Sequence, residues 1–382
     1  MKIGILTYNF VINPGSSLQT YCLLGLLKQN FPNCKVEVIN YHSPRLFFKE
    51  LRKLLTKRPP FLNLEEIYKY IRIKAFLRKN ITLSKKLLFT DNLDKLKEHL
   101  SREGYSAIVV GSDTVFEVRE NGGSPLAPNI YFLPIEGKFK KISFAASFDK
   151  TNESLLFEKD IHNDLKPLLN NFDFLSLRDE NSFRICKKIG VDGSRIKFMP
   201  DPSLIYDFYS LNIPSTFGFN LNGKIAGVAL SNVDLKKKLV QVLINEGYDV
   251  INLLGKKIEN AVELPASFSY ENFLWVHKRI DLLITDRFHG SIIGIKMNLS
   301  PTIFIENNNK KNSKGRDLFK RLEIEHVVFS ANDAENIKER DIRLCINYWK
   351  ESKSRLEKNL NQLHIMGIEN LNDIKKIVFD GM

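Results

Sequence analysis

The stretch D-L-L-I-T-D-R-F-H-G-S-I-I-G-I-K-M-N, residues 281–298, decides how this chain is read. Leu282, Leu283 and Ile284 form a continuous apolar run, as in a parallel strand covered on both faces, and the sequence changes character abruptly after Thr285. The corner Asp286-Arg287-Phe288-His289-Gly290 then puts a fixed cation, an imidazole and open backbone N–H groups where a strand's carboxyl end meets a helix start. Ligands of open α/β sheets sit at such ends, and a helix N-terminus beside a guanidinium suits an anion such as phosphate or carboxylate. The same residues also fit a plain corner, with Asp286 capping the helix, Gly290 serving close packing and His289 filling space.

Outward from this corner the chain alternates strand and helix signals. In the first half, strands are predicted at 2–8, 36–40, 107–110, 141–146, 174–177 and 196–199, with a polar loop at 9–17. Helices are predicted at 18–31, 92–100, within 152–171 and at 181–189. Gly111-Ser112-Asp113, Ser147, Arg178-Asp179-Glu180 and Asp201-Pro202-Ser203 make the strand ends polar and small. After a loop at 206–223 the pattern restarts, with strands at 225–230, 250–254, 301–305 and 327–329 and helices at 234–245, 270–279 and 316–322. A polar loop at 306–315 carries no core-forming run. Ile342, Cys345, Ile346, Trp349, Leu356, Leu360 and Leu363 recur at helical spacing, predicting one or two long helices from 333 to about 366. The expected class is α/β, with two Rossmann-like domains facing a cleft in the GT-B manner. The expected boundaries are 1–206, 207–345, and a helical segment 346–382 packing back on the domains.

Composition narrows the function classes. With 382 residues, 43% of them hydrophobic, the chain can build two ordinary cores. MKIGILTY reads as a first strand, and no apolar run approaches the roughly 18 to 20 residues that span a bilayer. Cys22, Cys34, Cys186 and Cys345 are scattered and read as reduced core residues, with no metal-ligand spacing. A cytoplasmic location is expected. The net charge is +13, but residues 45–86 alone hold 13 Lys or Arg against 3 Glu. So local an excess argues against nucleic-acid binding. Its charges are interleaved with Leu46, Phe47, Phe48, Leu51, Leu54 and Leu55, then Ile67, Tyr70, Ile71, Ile73, Phe76 and Leu77. This predicts two basic amphipathic helices broken at Arg58-Pro59-Pro60. They form either a solvated face or a peripheral contact at the inner face of the membrane.

Several motifs share one order along the chain. They are Asn13-Pro14-Gly15-Ser16-Ser17-Leu18-Gln19, Gly111-Ser112-Asp113, S-F-A-A-S-F at 143–148, S-L-R-D-E-N-S at 176–182, D-P-S-L at 201–204, T-D-R-F-H-G at 285–290, and Arg316-Asp317-Leu318-Phe319. Together they resemble the polysaccharide pyruvyl transferase family. Thr114-Val115-Phe116 departs from the Gln-Val-Trp often seen there, and Arg287 stands where many relatives carry Ser, as in the Arg-x-His form of pyruvyl transferases proper. The resemblance implies a GT-B-type fold and transfer of pyruvate from phosphoenolpyruvate to sugar hydroxyls, as a ketal on a cell-surface polysaccharide or its lipid-linked precursor. It implies no metal, and no cofactor beyond phosphoenolpyruvate as co-substrate.

The residues support the same chemistry. Phosphoenolpyruvate carries two anions on three carbons, so Arg178, Arg287 and Arg316, with Phe288, His289 and Gly290, are the expected donor site. His289 is expected to move a proton or assist the leaving phosphate, and Asp113 or Asp179 to accept the hydroxyl proton. Gly15, Ser16, Ser17 and Gln19 are expected to line the acceptor side. Two rivals remain. A nucleotide-sugar glycosyltransferase would want an acidic residue on the helix after the corner, and 291–298 has none. A noncatalytic docking protein would use the basic segment alone.

Overall fold

A computed structural model describes residues 1–55, 64–120, 127–149, 151–208, 223–265, 268–306 and 313–380. The chain divides into two units, Met1–Asp207 with Leu363–Met382, and Phe208–Gln362.

The first unit contains β1 (Lys2–Leu6), α1 (Pro14–Asn30), β2 (Lys35–Val38), β3 (Tyr41–His42), α2 (Pro44–Arg52), α3 (Leu64–Asn80), β4 (Leu88–Phe89) and α4 (Leu93–Arg102). It continues with β5 (Ala107–Asp113), β6 (Lys140–Ala146), α5 (Glu153–Glu158), α6 (Ile161–Asn170), β7 (Leu175–Leu177), α7 (Glu180–Ile189), β8 (Ile196–Phe198) and α8 (Pro202–Ile205). Six strands form one parallel sheet in the order β2-β1-β5-β6-β7-β8. Every residue of β5 is buried, as expected for a central strand with helices on both faces. Beneath it lies a core that includes Leu6, Ile108, Val110, Phe116, Phe132 and Phe148.

Two short strands, β3 and β4, pair in a small separate sheet; at two residues each they are too brief to show a period. α1 begins at Pro14 rather than at residue 18. Asn13 caps it, accepting from Gly15 N at 3.0 Å, and Pro14 needs no donor in the first turn. The predicted polar loop at 9–17 is therefore half helix. Asp179 caps α7 through Ser182 N, and Gly190 closes it at φ +86, a backbone only glycine adopts freely.

The second unit repeats the plan with β9 (Lys224–Ala229), α9 (Val233–Asn245), β10 (Tyr248–Asn252), β11 (Val262–Glu263), α10 (Tyr270–His277), β12 (Leu282–Thr285), α11 (Phe288–Asn298), β13 (Thr302–Glu306), α12 (Lys314–Arg321), β14 (Val328–Ser330), α13 (Ala331–Ala334) and α14 (Glu339–Phe379). Its sheet is also parallel, in the order β11-β10-β9-β12-β13-β14. The Arg58-Pro59-Pro60 break and most of the predicted loops at 206–223 and 306–315 lie outside the described residues.

In place of a separate segment from 346, the chain ends in one 41-residue helix, α14. Within the second unit its Trp349 Nε1 donates to Leu299 O at 2.8 Å and Asn359 Nδ2 to Leu322 O at 3.2 Å. These are carbonyls at the ends of α11 and α12, where the helical ladder leaves acceptors open. Past residue 362 the helix packs on the first unit, where Asn370 Nδ2 donates to Phe198 O at 2.8 Å.

Candidate active site

In each sheet the strand order reverses once, and ligands of open α/β sheets settle outside the strand ends at that reversal. In the first unit the reversal lies between β1 and β5. β5 ends in an unusual backbone, Asp113 standing at φ +74 and its neighbour on β6, Ala145, at φ +50. Non-glycine residues held there cluster at functional sites.

Asp113 Oδ1 accepts from Arg178 Nη2 at 2.7 Å, and Asp201 Oδ2 accepts from Arg178 Nη1 at 2.7 Å. All three side chains are buried; Arg178 is 4% exposed. Burial alone would lower the guanidinium's pKa, but the charges of Asp113, Asp201 and Asp179 outweigh it and hold Arg178 above its ordinary value. Beside this triad Ser112 Oγ donates to Gln19 Oε1, and Gln19 Nε2 donates to Thr7 Oγ1 at 3.1 Å, tying the end of β5 to the end of β1. Asp179 Oδ2 accepts from Ser147 Oγ at 2.6 Å while its other oxygen caps α7.

In the second unit the reversal lies between β9 and β12, and the opening corner of the sequence falls on it. Asp286, its side chain 1% exposed, does not cap α11. Its Oδ2 accepts from Ser231 N at 2.7 Å, across from the end of β9. Its Oδ1 lies 3.0 Å from Arg287 Nε, and Arg287 Nη2 donates to Ser231 Oγ at 2.8 Å. A buried carboxylate and a serine thus aim a guanidinium that is 51% exposed.

α11 starts at Phe288, and its first internal bond runs from Ser291 N to Arg287 O. Among the described residues no side-chain cap bond is made at its start; Arg287 N donates to Thr285 Oγ1 at 3.0 Å, and the positive end of the helix dipole lies beside the Arg287 side chain. His289 sits in that first turn, buried against Phe288 with ring centroids 5.2 Å apart. A Cβ on Gly290 would lie 3.0 Å from Thr285 Oγ1, so the helix start presses on the strand end.

The structure sorts the predicted residues differently from the sequence. Arg287, Phe288, His289 and Gly290 come together in the second unit. Arg178, expected with them in donor binding, belongs to the first unit, where two carboxylates occupy its terminal nitrogens. Arg316 is likewise committed, its Nε and Nη2 lying 2.8 and 2.6 Å from Glu306 Oε2 at the end of β13. Gln19 is fully buried as a strut, and the Gly15 and Ser17 N–H groups are used by Asn13 within the first turn of α1, beside buried Ser16. Those donors were expected to face an acceptor.

Sequence reasoning missed Ser231, Asp201 and Lys314. Lys314 Nζ lies over the Phe288 ring, 5.4 Å from its centroid. Asp201 stood at a noted corner, whereas Ser231 carried no signal apart from following a strand. Among the described residues no group of three or more His, Cys, Asp or Glu is placed to hold a metal ion.

No curated protein matches the chain. Among solved structures it is similar to a putative UDP-N-acetylglucosamine 2-epimerase from Listeria monocytogenes, with TM-score 0.58 and 9% identity over 100% of this chain and 97% of that one. The UDP-GlcNAc 2-epimerase from Neisseria meningitidis bound to UDP-GlcNAc gives TM-score 0.55 and 12% identity over 100% of both chains. The glycotransferase of kitacinnamycin gives 0.51 and 11% over 98% of each. At such identities these likenesses establish the fold, two parallel α/β units of the GT-B type. A family model described as polysaccharide pyruvyl transferase matches residues 13–309. That match runs from the cap of α1 through the Asp286–Gly290 corner to the end of β13, and by it the chain belongs to the polysaccharide pyruvyl transferase family.

Proposed function

We propose that the chain transfers pyruvate from phosphoenolpyruvate to two hydroxyls of a sugar, in a polysaccharide or its lipid-linked precursor, to form a ketal. The observation that carries this reading is the half-exposed Arg287, aimed by Asp286 and Ser231 at the N-terminal end of α11. A guanidinium fork and adjacent helix N–H groups match a small substrate with two anions, and Lys314 over Phe288 adds a second cation.

Addition of a proton to the methylene carbon makes the central carbon oxocarbenium-like. One hydroxyl attacks it, phosphate leaves with its bridging oxygen, and the second hydroxyl closes the ring. Two hydroxyl protons are released; one becomes part of the new methyl group and the other is taken up with phosphate. His289 fits the proton transfer to the methylene or to the departing phosphate. Asp113 is assigned the hydroxyl proton, with Arg178 fixing its position from the first unit's own strand ends. The acceptor side is assigned to that unit.

Thermal shift with phosphoenolpyruvate and with UDP-sugars tests the donor directly. Stabilisation by phosphoenolpyruvate is expected, about 2 to 3 kcal/mol at a hundredfold excess over Kd. Stabilisation by a UDP-sugar alone would replace this reading with a glycosyltransferase.

A further inference from the structure

Residues 45–86 hold the chain's largest charge excess, and the donor site uses none of it. α2 is the clearest part. Its buried side is Leu46 and Glu50, the latter accepting from Ile12 N at 2.8 Å. Glu50 is the helix's sole acid and is buried, paired with Lys53, so α2 itself exposes no unpaired carboxylate.

On the helix's outer face Phe48 is 55% exposed and Leu51 36%, and Leu55, just past the helix end, is 41% exposed. Arg45, Lys49, Arg52 and Lys53 alternate with them along the chain, Lys53 Nζ lying 2.5 Å from Glu50 Oε1 and Arg45 donating to Glu120 O. Phe89, exposed at the end of β4, extends the apolar patch, with its ring centroid 6.2 Å from that of Phe48 and 5.3 Å from that of Phe47. α3 repeats the pattern independently. Leu64, Tyr68 and Ile71 recur at helical spacing on its exposed side, while Ile73, Phe76 and Leu77 are buried.

We infer that the outer face of α2, with Phe89, docks on an anionic lipid bilayer. Phe and Leu side chains enter the headgroup boundary while Lys and Arg stems lie along the apolar patch and carry their charges to lipid phosphates. A solvated helix face would not collect Phe48, Leu51, Leu55 and Phe89 among cations. A protein-binding patch would not need all its acids withdrawn. Among the described residues no helix is long and apolar enough to cross a membrane, so attachment is peripheral. The inference deepens the proposed function, resting on it only for the lipid-linked form of the acceptor.

Sedimentation of the full chain with vesicles provides the test, without donor present. The vesicles are phosphatidylcholine alone, or phosphatidylcholine with phosphatidylglycerol. Wild-type protein should pellet with the anionic vesicles at low salt and stay in solution with the neutral ones. The double variant Lys49→Glu, Arg52→Glu should lose at least about tenfold in partitioning, and Phe48→Ser, Leu51→Ser a similar amount. Phosphate release from phosphoenolpyruvate with a water-soluble acceptor should be unchanged in both variants, which also shows that they fold. Equal partitioning of wild type and both variants, or no wild-type binding, overturns the inference. A self-association lost in Phe48→Ser, Leu51→Ser, with no vesicle binding, would assign the patch to a second copy instead. Protein that binds vesicles yet releases no phosphate from phosphoenolpyruvate would overturn the donor reading and leave the docking surface standing.

Discussion

The reversal between β1 and β5 and the reversal between β9 and β12 are the same topological feature built twice, and each holds an arginine near a strand-end aspartate. The arginines are used in opposite ways. Arg178 is sealed between Asp113 and Asp201, and Asp113, together with Ala145 on β6, sits in left-handed backbone. Arg287 has one buried carboxylate partner, a serine and a large exposed face. A buried charge matched twice is committed to holding its partners in place, and it is costly to disturb. A charge matched once and open to solvent remains available to a ligand. Arginines that follow strands of repeated folds, Arg178 after β7 and Arg287 after β12, therefore need not share a role, and the count of partner carboxylates separates them.

The largest expected effects come from exchanging the two losses. Arg287→Ala should lower phosphate release from phosphoenolpyruvate by about 10²- to 10³-fold, as removal of a preorganised donor does, while costing about 1 to 3 kcal/mol, since one buried carboxylate loses a partner but keeps its bond from Ser231 N. His289→Ala should act on the same rate. Arg178→Met should do the reverse first, destabilising the fold by about 3 to 5 kcal/mol through two stranded buried carboxylates. Urea unfolding and single-turnover assays on these variants decide it. Wild-type-like turnover in both Arg287→Ala and His289→Ala would break the contrast.

Next in size are the glycines. A Cβ on Gly111 would stand 2.1 Å from Phe144 O, on a backbone at φ +131, so Gly111→Ala should cost about 4 kcal/mol. On Gly290 the nearest atoms are Thr285 Oγ1 at 3.0 Å and Arg287 Cβ at 3.1 Å. Gly290→Ala should cost no more than about 1.5 kcal/mol but displace Arg287 and impair turnover. Equal melting temperatures for the two variants would show the two strand ends to be alike.

Acid gives the smallest of the three contrasts. His277, in the second unit, is buried, and burial lowers its pKa to about 4 despite the bond from Nδ1 to Phe273 O at 2.9 Å. The unfolded chain takes up this proton first. The associated stability is complete above about pH 6.5 and is lost as pH falls to about 4, amounting to roughly 3 kcal/mol. Denaturant titrations at pH 7 and 4.5 should show the decline, and His277→Gln should flatten it. A wild-type curve as flat as the variant's would mean the imidazole is not held neutral.

Much of the fold was legible because parallel strands buried on both faces announce themselves as apolar runs, as in Ile108-Val109-Val110 and Leu282-Leu283-Ile284. Boundaries were less so. Asn13-Pro14 was a readable cap and first helical residue, yet the small residues after it looked like loop. β3, β4 and β11 are two residues long and carry no period at all. The basic segment's two helices were visible from their amphipathic spacing, and the inward turn of Glu50 was not.

At the site, the local corner Asp286–Gly290 could be read because strand end, cation and helix start are adjacent in sequence. The partners of its charges could not. Ser231 lies 55 residues from Asp286 along the chain, and Asp201 lies 23 from Arg178. Sequence by itself determined the alternation of buried strands and capped helices, the polar strand ends and the family motifs, since all of these follow from local spacing and side-chain chemistry. Only the tertiary structure decided which strands become neighbours at each reversal. Through that adjacency it decided which arginine is locked between two carboxylates and which is left to meet an anion.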